Sequence, residues 1–255
     1  MRVLTWNVNA RTTRRAEQAE FVVSRTPDVV SLQEVPDSTL EAWRSDLERG
    51  GLGHSLASVC DEPRRRGRGL LLAARHPLRL VERHAHVLLS ATLADPRREV
   101  DVHAVQIPNG SDNGVGKVEG FEAVHSRLAG APQRLRILLG DLNSPRAEHA
   151  DGTVITWGQN PSGSLIARRG SRWDAAERSV LKGLREHGMV DVFRDLHGYA
   201  VEEKSWLWRN RGAVGGYRLD HIIASAELTP VAVRYLHEPR DAGLSDHSAL
   251  EALFR

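Results

Sequence analysis

Residues 135–145 read Leu-Arg-Ile-Leu-Leu-Gly-Asp-Leu-Asn-Ser-Pro, an apolar run followed directly by polar residues. The apolar part is typical of a short, fully buried strand, and Gly140 marks its end. Asp141 and Asn143 therefore lie where the strand stops. A carboxylate beside a core strand is unfavourable unless it is paired, hydrogen-bonded or bound to a cation. The stretch predicts a buried strand that ends in a polar site.

The same arrangement occurs at other points along the chain. Polar residues follow, precede or are enclosed by predicted apolar strands at Asn7, Glu34, Asp220-His221 and Asp246-His247. Each of these alone is ordinary turn or capping chemistry. Their joint occurrence favours one shared site, because carboxylate and amide oxygens are the hard ligands that Mg²⁺ selects.

Hydrophobic alternation and helical spacing predict the elements between these polar residues. The predicted strands cover residues 3–8, 28–34, 70–74, 81–89, 100–107, 135–139, 218–224, 231–236 and 250–254. The predicted helices cover residues 15–25, 40–48, 118–128 and 175–186, and residues 190–193 are predicted as a turn. Many strands with few helices favour a layered α/β sandwich. No low-complexity linker divides the chain, so we expect a single domain over residues 1–255.

The composition is ordinary for a globular protein, with 40% hydrophobic and 27% charged residues. Cys60 is the single cysteine, which excludes an intramolecular disulfide and fits a reducing cytoplasm. No apolar run approaches the roughly 20 residues that span a bilayer, so no membrane partner is expected. Nearly all cationic residues are arginines, which suit a phosphate-rich partner but equally fit a GC-rich coding sequence. We expect a cytoplasmic monomer.

Six sequence blocks together resemble the endonuclease/exonuclease/phosphatase superfamily, which includes exonuclease III, the abasic-site endonucleases and deoxyribonuclease I. The blocks are TWNVN (5–9), SLQE (31–34), IPNG (107–110), GDLNSP (140–145), GYRLDHI (216–222) and LSDHS (244–248). They cover nearly the whole chain. The resemblance implies a four-layer α/β/β/α sandwich with two mostly antiparallel sheets and an active site at one edge. It also implies a phosphodiester hydrolase that uses Mg²⁺, with Mn²⁺ as the alternative cation.

The resemblance implies a role for each strand-end residue. By position, the metal-binding residues are Asn7, Glu34 and Asp246, and the catalytic residues are Asp141, Asn143, Asp220 and His247. Asp141 is expected to orient or deprotonate the attacking water. His247, held by Asp220, is expected to bind the phosphate, and Asn143 to contact it.

Substrate contacts are expected on both sides of these residues. Asn109 is the asparagine of the Pro-Asn turn, and Gln106, before that turn, stands where exonuclease III-like members carry a tyrosine and other branches a histidine. Trp206, Tyr217 and Leu219 match positions beside a displaced sugar. Aromatic residues interleaved with arginines suit nucleic acid, so DNA is the favoured substrate and RNA the next.

Several alternatives remain open from the sequence. A phosphatase or phosphodiesterase acting on a small or lipid-linked phosphate ester is one, although the signatures of inositol phosphatases are missing. A catalytically inactive nucleic-acid-binding module is another; none of the expected ligands is lost, and only the replacement at Gln106 leaves this alternative open. The arginine-rich run at residues 64–68 is either a phosphate contact or a solvated loop.

Overall fold

The computed structural model describes residues 1–58, 67–111, 114–130, 134–210 and 212–255. The strands are β1 (Arg2–Asn7), β2 (Val29–Pro36), β3 (His54–Ala57), β4 (Arg68–Ala74), β5 (Leu78–His84), β6 (Leu88–Asp95), β7 (Arg98–Gln106), β8 (Leu135–Asp141), β9 (Ala147–Glu148), β10 (Val154–Ile155), β11 (Met189–Asp191), β12 (Trp206–Asn210), β13 (Ala213–Tyr217), β14 (Asp220–Ser225), β15 (Pro230–Leu236) and β16 (Ala249–Phe254). The helices are α1 (Arg15–Ser24), α2 (Leu40–Arg49), α3 (Val115–Leu128), α4 (Gly170–Leu181), α5 (Val192–His197) and α6 (Glu238–Asp241).

Twelve of these strands form two six-stranded sheets. Their orders are β15-β16-β1-β2-β4-β3 and β11-β14-β8-β7-β6-β5. The pairs β1–β2 and β7–β8 are parallel, and the other pairs in both sheets are antiparallel. Each sheet thus has one parallel pair near its centre, and polar residues stand where these parallel strands end.

Three apolar clusters show that the elements form four layers. The first cluster fills the space between the sheets and includes Val3, Leu139 and Ile222. The second joins the outer face of the first sheet to α1 and α2, as Trp43 illustrates. The third joins the outer face of the second sheet to α3 and α4, as Phe121 illustrates. The predicted α/β/β/α sandwich with two mostly antiparallel sheets is confirmed.

Strand alternation directs the polar strand-end residues inward. Side chains two residues apart share one face of a strand. Val3 lies between the sheets, so Asn7 at the end of β1 faces the same interior space. By the same rule Leu139 places Asp141 inward, and Ile222 places Asp220 inward.

Local predictions differ from the structure at turns. Residues 81–89 were predicted as one strand, but they span the end of β5, a turn, and the start of β6. The apolar pattern runs on through this turn, and no glycine or proline marks it, although Ala85 adopts a φ of 46°. Residues 190–193 were predicted as a turn, yet β11 ends there and α5 begins. Asp191 caps that helix by accepting hydrogen bonds from the backbone N–H groups of Phe193 and Arg194.

No helix among the described residues is long and apolar enough to cross a membrane. Cys60 and the arginines at positions 64, 65 and 66 lie outside the described residues.

Candidate active site

One cleft of about 870 Å³ collects the predicted site residues at an edge of the two sheets. Those that line it are Asn7, Glu34, Gln106, Asn109, Asp141, Asn143, Trp206, Tyr217, Leu219, Asp246 and His247. Asp220 lies directly behind the cleft, is fully buried, and contacts it through His247. The structure therefore brings all twelve residues together from widely separated parts of the chain.

Strand pairing places the inner members of this group. Asp141 is paired with Asp220 across β8 and β14, and with Gln106 across β8 and β7. Asn7 ends β1 in the facing sheet, and its Nδ2 donates to Oδ2 of Asp141 over 3.0 Å. Backbone register thus brings Asp141, Asp220 and Gln106 together in one sheet, and the side-chain hydrogen bond from Asn7 connects the facing sheet to them.

Glu34 reaches the cleft through an irregularity in β2. The register between β2 and β4 shifts between Leu32 and Val35, so two residues of β2 stand opposite one residue of β4. Glu34 lies within this bulge at a φ of 59°. Regular alternation after the inward-facing Gln33 would point Glu34 away from the site. The bulge turns its side chain towards Asn7 instead.

A chain of hydrogen bonds links the polar residues across the cleft. Gln106 donates to Oε1 of Glu34 over 3.0 Å, and Asn7 Nδ2 lies 3.4 Å from the same oxygen. The backbone N–H of Asn143 donates to Oδ1 of Asp141 over 2.8 Å. Asn143 adopts a φ of 50°, and Lys117 holds its carbonyl oxygen at 2.5 Å. The network fixes the orientation of both carboxylates.

His247 and Asp220 form a buried pair behind the cleft. Nδ1 of His247 lies 2.8 Å from Oδ2 of Asp220. Burial alone would lower the pKa of His247, but the adjacent Asp220 carboxylate raises it to about 10. Trp6 donates its indole N–H to the carbonyl oxygen of His247 over 3.0 Å, which fixes the backbone. A protonated imidazole at the cleft wall suits an anionic ligand.

Asp141 is a buried carboxylate of the cleft. Burial raises its pKa to about 7, with Asp220 adding to the rise and the nearby His247 opposing it. A carboxyl group with a pKa near neutrality can exchange a proton with water under physiological conditions. Asp141 is therefore suited to general acid–base chemistry.

A sequence profile described as the endonuclease/exonuclease/phosphatase family matches residues 4–247. The chain belongs to this family. Its members are hydrolytic enzymes that act on phosphate esters, so the resemblance noted from the six sequence blocks is confirmed. No curated protein sequence matches the chain significantly.

Solved structures similar to this family member share its fold. An AP endonuclease from Archaeoglobus fulgidus superposes with a TM-score of 0.74 at 22% identity, covering 100% of this chain and 99% of the other. A 3′ phosphatase (NExo) from Neisseria, bound to a product DNA hairpin, gives 0.70 at 20%, covering 100% and 99%. D. rerio TDP2 complexed with single-strand DNA product gives 0.68 at 20%, covering 100% and 98%.

The residues of this family member fit a divalent cation. Glu34 and Asp246 place carboxylate oxygens in the water-accessible cleft, as a hard cation that keeps part of its water shell requires. Asp141, Asp220 and His247 also come close, with ligand atoms within 4.8 Å of one another. Asp220 and His247 are buried, however, and bind each other. The Glu34 end of the cleft is therefore the better cation site.

The orientation of the Asn7 side-chain amide is relevant to the predicted role of Asn7 as a metal ligand. Its oxygen accepts the backbone N–H of Asn9 over 2.9 Å, while its nitrogen faces Glu34 and Asp141. In this arrangement Asn7 orients two carboxylates. Its role as a metal ligand stays a prediction.

An aromatic wall forms one side of the cleft. Trp206 and Tyr217 stack with centroids 6.1 Å apart and planes 8° from parallel, and Trp157 meets Tyr217 edge-on at 5.1 Å. The indole N–H of Trp206 also donates to Oδ2 of Asp246 over 3.0 Å. Trp206 therefore connects the predicted sugar-binding positions with a predicted metal ligand.

Sequence reasoning missed part of the cleft. Trp157, Arg169 and Trp173 line it, and Arg169 lies over the ring of Trp173 at 4.6 Å. They come from the segment around α4, where no strand-end pattern singled them out. His103 on β7 is buried, and its Nδ1 lies 2.8 Å from the hydroxyl oxygen of Ser90.

Proposed function

We propose that this family member hydrolyses phosphodiester bonds in nucleic acid, with DNA preferred over RNA, and that it requires Mg²⁺, for which Mn²⁺ can substitute. The observation that supports this proposal is the meeting of Glu34, Asp141, Asp246 and the Asp220–His247 pair in one open cleft. The protonated imidazole of His247, held by Asp220, stands beside carboxylates that line the cleft and offer oxygen ligands to a metal ion.

Glu34 and Asp246, with Asn7, are the proposed ligands. A bound Mg²⁺ would neutralise charge on the non-bridging and leaving oxygens of the phosphate. Asp141 accepts the proton of the attacking water, as its pKa of about 7 permits. His247 and Asn143 donate hydrogen bonds to the phosphate, and this charge stabilisation needs no covalent intermediate.

The substrate contacts follow from the aromatic wall. Trp206, Tyr217 and Leu219 offer an apolar surface beside the proposed phosphate position, and Asn109 and Gln106 lie on the cleft wall. Stacking on nucleobases or sugars suits these side chains. Action as a monomer in the cytoplasm belongs to the same proposal, since the one cysteine fits a reducing compartment.

Purified protein tests the proposal with labelled duplex, single-stranded, abasic and 3′-phosphorylated DNA, RNA, and phosphoinositides. We expect Mg²⁺-dependent cleavage of DNA that a chelator abolishes. Glu34→Ala should reduce the rate at least 10²-fold, whereas Glu41→Ala, an exposed carboxylate on α2, should leave it unchanged. Hydrolysis of phosphoinositides alone would favour the small-substrate alternative. An unchanged rate in Glu34→Ala would contradict the proposed metal site.

A further inference from the structure

Arg68 stands at the start of β4 and reaches the proposed metal ligand. Its Nη1 donates to Oε2 of Glu34 over 2.5 Å. Backbone pairing sets this contact, because Pro36 of β2 is opposite Arg68 and the bulge at Glu34 lies two residues before it. Arg68 also lines the cleft. The guanidinium is thus placed at the site by the sheet itself.

Stability does not account for this ion pair. The Arg68 side chain is 57% exposed, and pairs of this kind contribute little to folding. Glu34 is already hydrogen-bonded by Gln106 over 3.0 Å. A guanidinium has five N–H donors in a fork that matches phosphate, and its exposure leaves donors accessible from the cleft.

The negative charge of the cleft gives the Arg68 guanidinium a role in binding an anionic substrate. Four carboxylates line the cleft, at Glu34, Asp37, Asp141 and Asp246. A phosphodiester is an anion and is repelled by this wall unless cations offset it. Two arginines are among the described residues that line the cleft, Arg68 and Arg169. Arg169 lies over the ring of Trp173, whereas Arg68 is bonded directly to Glu34.

Arg68 and a divalent cation compete for the same carboxylate. A cation that took the oxygens of Glu34 would weaken their bond to the guanidinium and leave its N–H groups available to another anion in the cleft. A phosphate bound beside the cation would be such an anion.

We propose that Arg68 is a phosphate-binding residue that Glu34 holds in place until a divalent cation displaces it. This inference rests on the proposed function and adds a residue to it. It requires opposite effects when Arg68 is removed: tighter binding of the cation and weaker binding of the substrate.

Arg68→Gln tests both effects, with Arg44→Gln as the matched control, since Arg44 forms an exposed pair with Glu41 at 2.6 Å. Calorimetry with Mn²⁺ alone should give a dissociation constant about two- to fivefold lower for Arg68→Gln. At saturating Mg²⁺ the KM for an oligonucleotide should rise about tenfold. Arg68→Lys, which keeps the charge without the fork, should restore part of the substrate affinity.

Unchanged Mn²⁺ affinity in Arg68→Gln, or an unchanged KM, would overturn the inference and leave only a surface ion pair. Those results would not affect the proposed function if the wild-type protein cleaves DNA. Conversely, absence of any Mg²⁺-dependent hydrolysis by the wild-type protein would contradict the proposed function itself.

Discussion

Individual residues of the cleft serve two neighbours at once. Asn7 connects Glu34 with Asp141, and Trp206 connects the aromatic wall with Asp246. Outer hydrogen bonds of this kind orient ligands and raise their affinity for a cation. The aromatic residue predicted as a substrate contact is thus also placed to act on the metal site.

Substitution at Trp206 separates these two contributions. Trp206→Phe removes the N–H donor to Asp246 but keeps a ring beside Tyr217, so the affinity for Mn²⁺ should fall about tenfold. Trp206→Ala should in addition weaken the binding of single-stranded oligonucleotides. Calorimetry with Mn²⁺ and fluorescence anisotropy with oligonucleotides measure the two effects.

Trp208→Phe provides the control, since Trp208 lies on the same strand and is not among the residues that line the cleft. Equal Mn²⁺ affinity in Trp206→Phe and the wild-type protein would mean that the hydrogen bond to Asp246 does not position a ligand.

At the scale of elements, the close approach of β7 and β8 depends on Gly140. Its φ is 153°, and a Cβ at this position would lie 1.9 Å from the carbonyl oxygen of Val105. The two residues are paired across the parallel strands that carry Gln106 and Asp141. A glycine at this point therefore permits the register that builds the site.

Gly140→Ala should lower the free energy of unfolding by about 2–5 kcal/mol, because the methyl group clashes with backbone and strains φ. Urea titration followed by circular dichroism measures the change. Gly53→Ala is the control, since a Cβ there meets no atom within 4 Å, and its effect should stay within about 0.5 kcal/mol. Equal free energies of unfolding for the two variants would show that β7 and β8 can move apart to accept the methyl group without loss of stability.

The elements also explain how much of the site was predictable. Asn7, Asp141 and Asp220 follow from sequence, because strand ends and alternation determine where their side chains point. The position of Glu34 depends on a β-bulge, and the local sequence of β2 does not predict that bulge. The contributions of Trp157 and Arg169 depend on how α4 and its preceding loop pack, which is a tertiary property.

At the scale of the whole molecule, a buried network of ion pairs connects the elements behind the cleft. Arg218 donates to Glu148 over 2.7 Å and to Asp191 over 2.7 Å, and Arg194 donates to Glu148 over 2.8 Å. His221 extends the network from Asp191 towards the loop that follows Asn143. The network ties β9, β11 and α5 to the residues just before β14.

This network predicts a loss of stability in acid. Burial alone would raise the pKa of Glu148, but Arg218 and Arg194 lower it to about 2, from an ordinary value of 4.5. A carboxyl group with a lowered folded-state pKa stabilises the fold above pH 4.5, and this contribution is lost as the pH falls towards 2. The loss should be on the order of 3 kcal/mol.

Unfolding midpoints between pH 2 and pH 7 measure the effect, with Glu148→Gln as the comparison. That variant should be less stable at pH 7, since it leaves buried arginines underpaired, and its stability should depend less steeply on pH. An acid slope identical to that of the wild-type protein would contradict the assignment to Glu148.

The central claim is that polar residues from distant parts of the chain form one divalent-cation site facing a phosphate. Anomalous diffraction from crystals soaked with Mn²⁺ tests it most directly. The predicted result is a single strong peak within coordination distance of the carboxylates of Glu34 and Asp246. A peak held by Asp141, Asp220 and His247 instead, or no peak in the cleft, would contradict it.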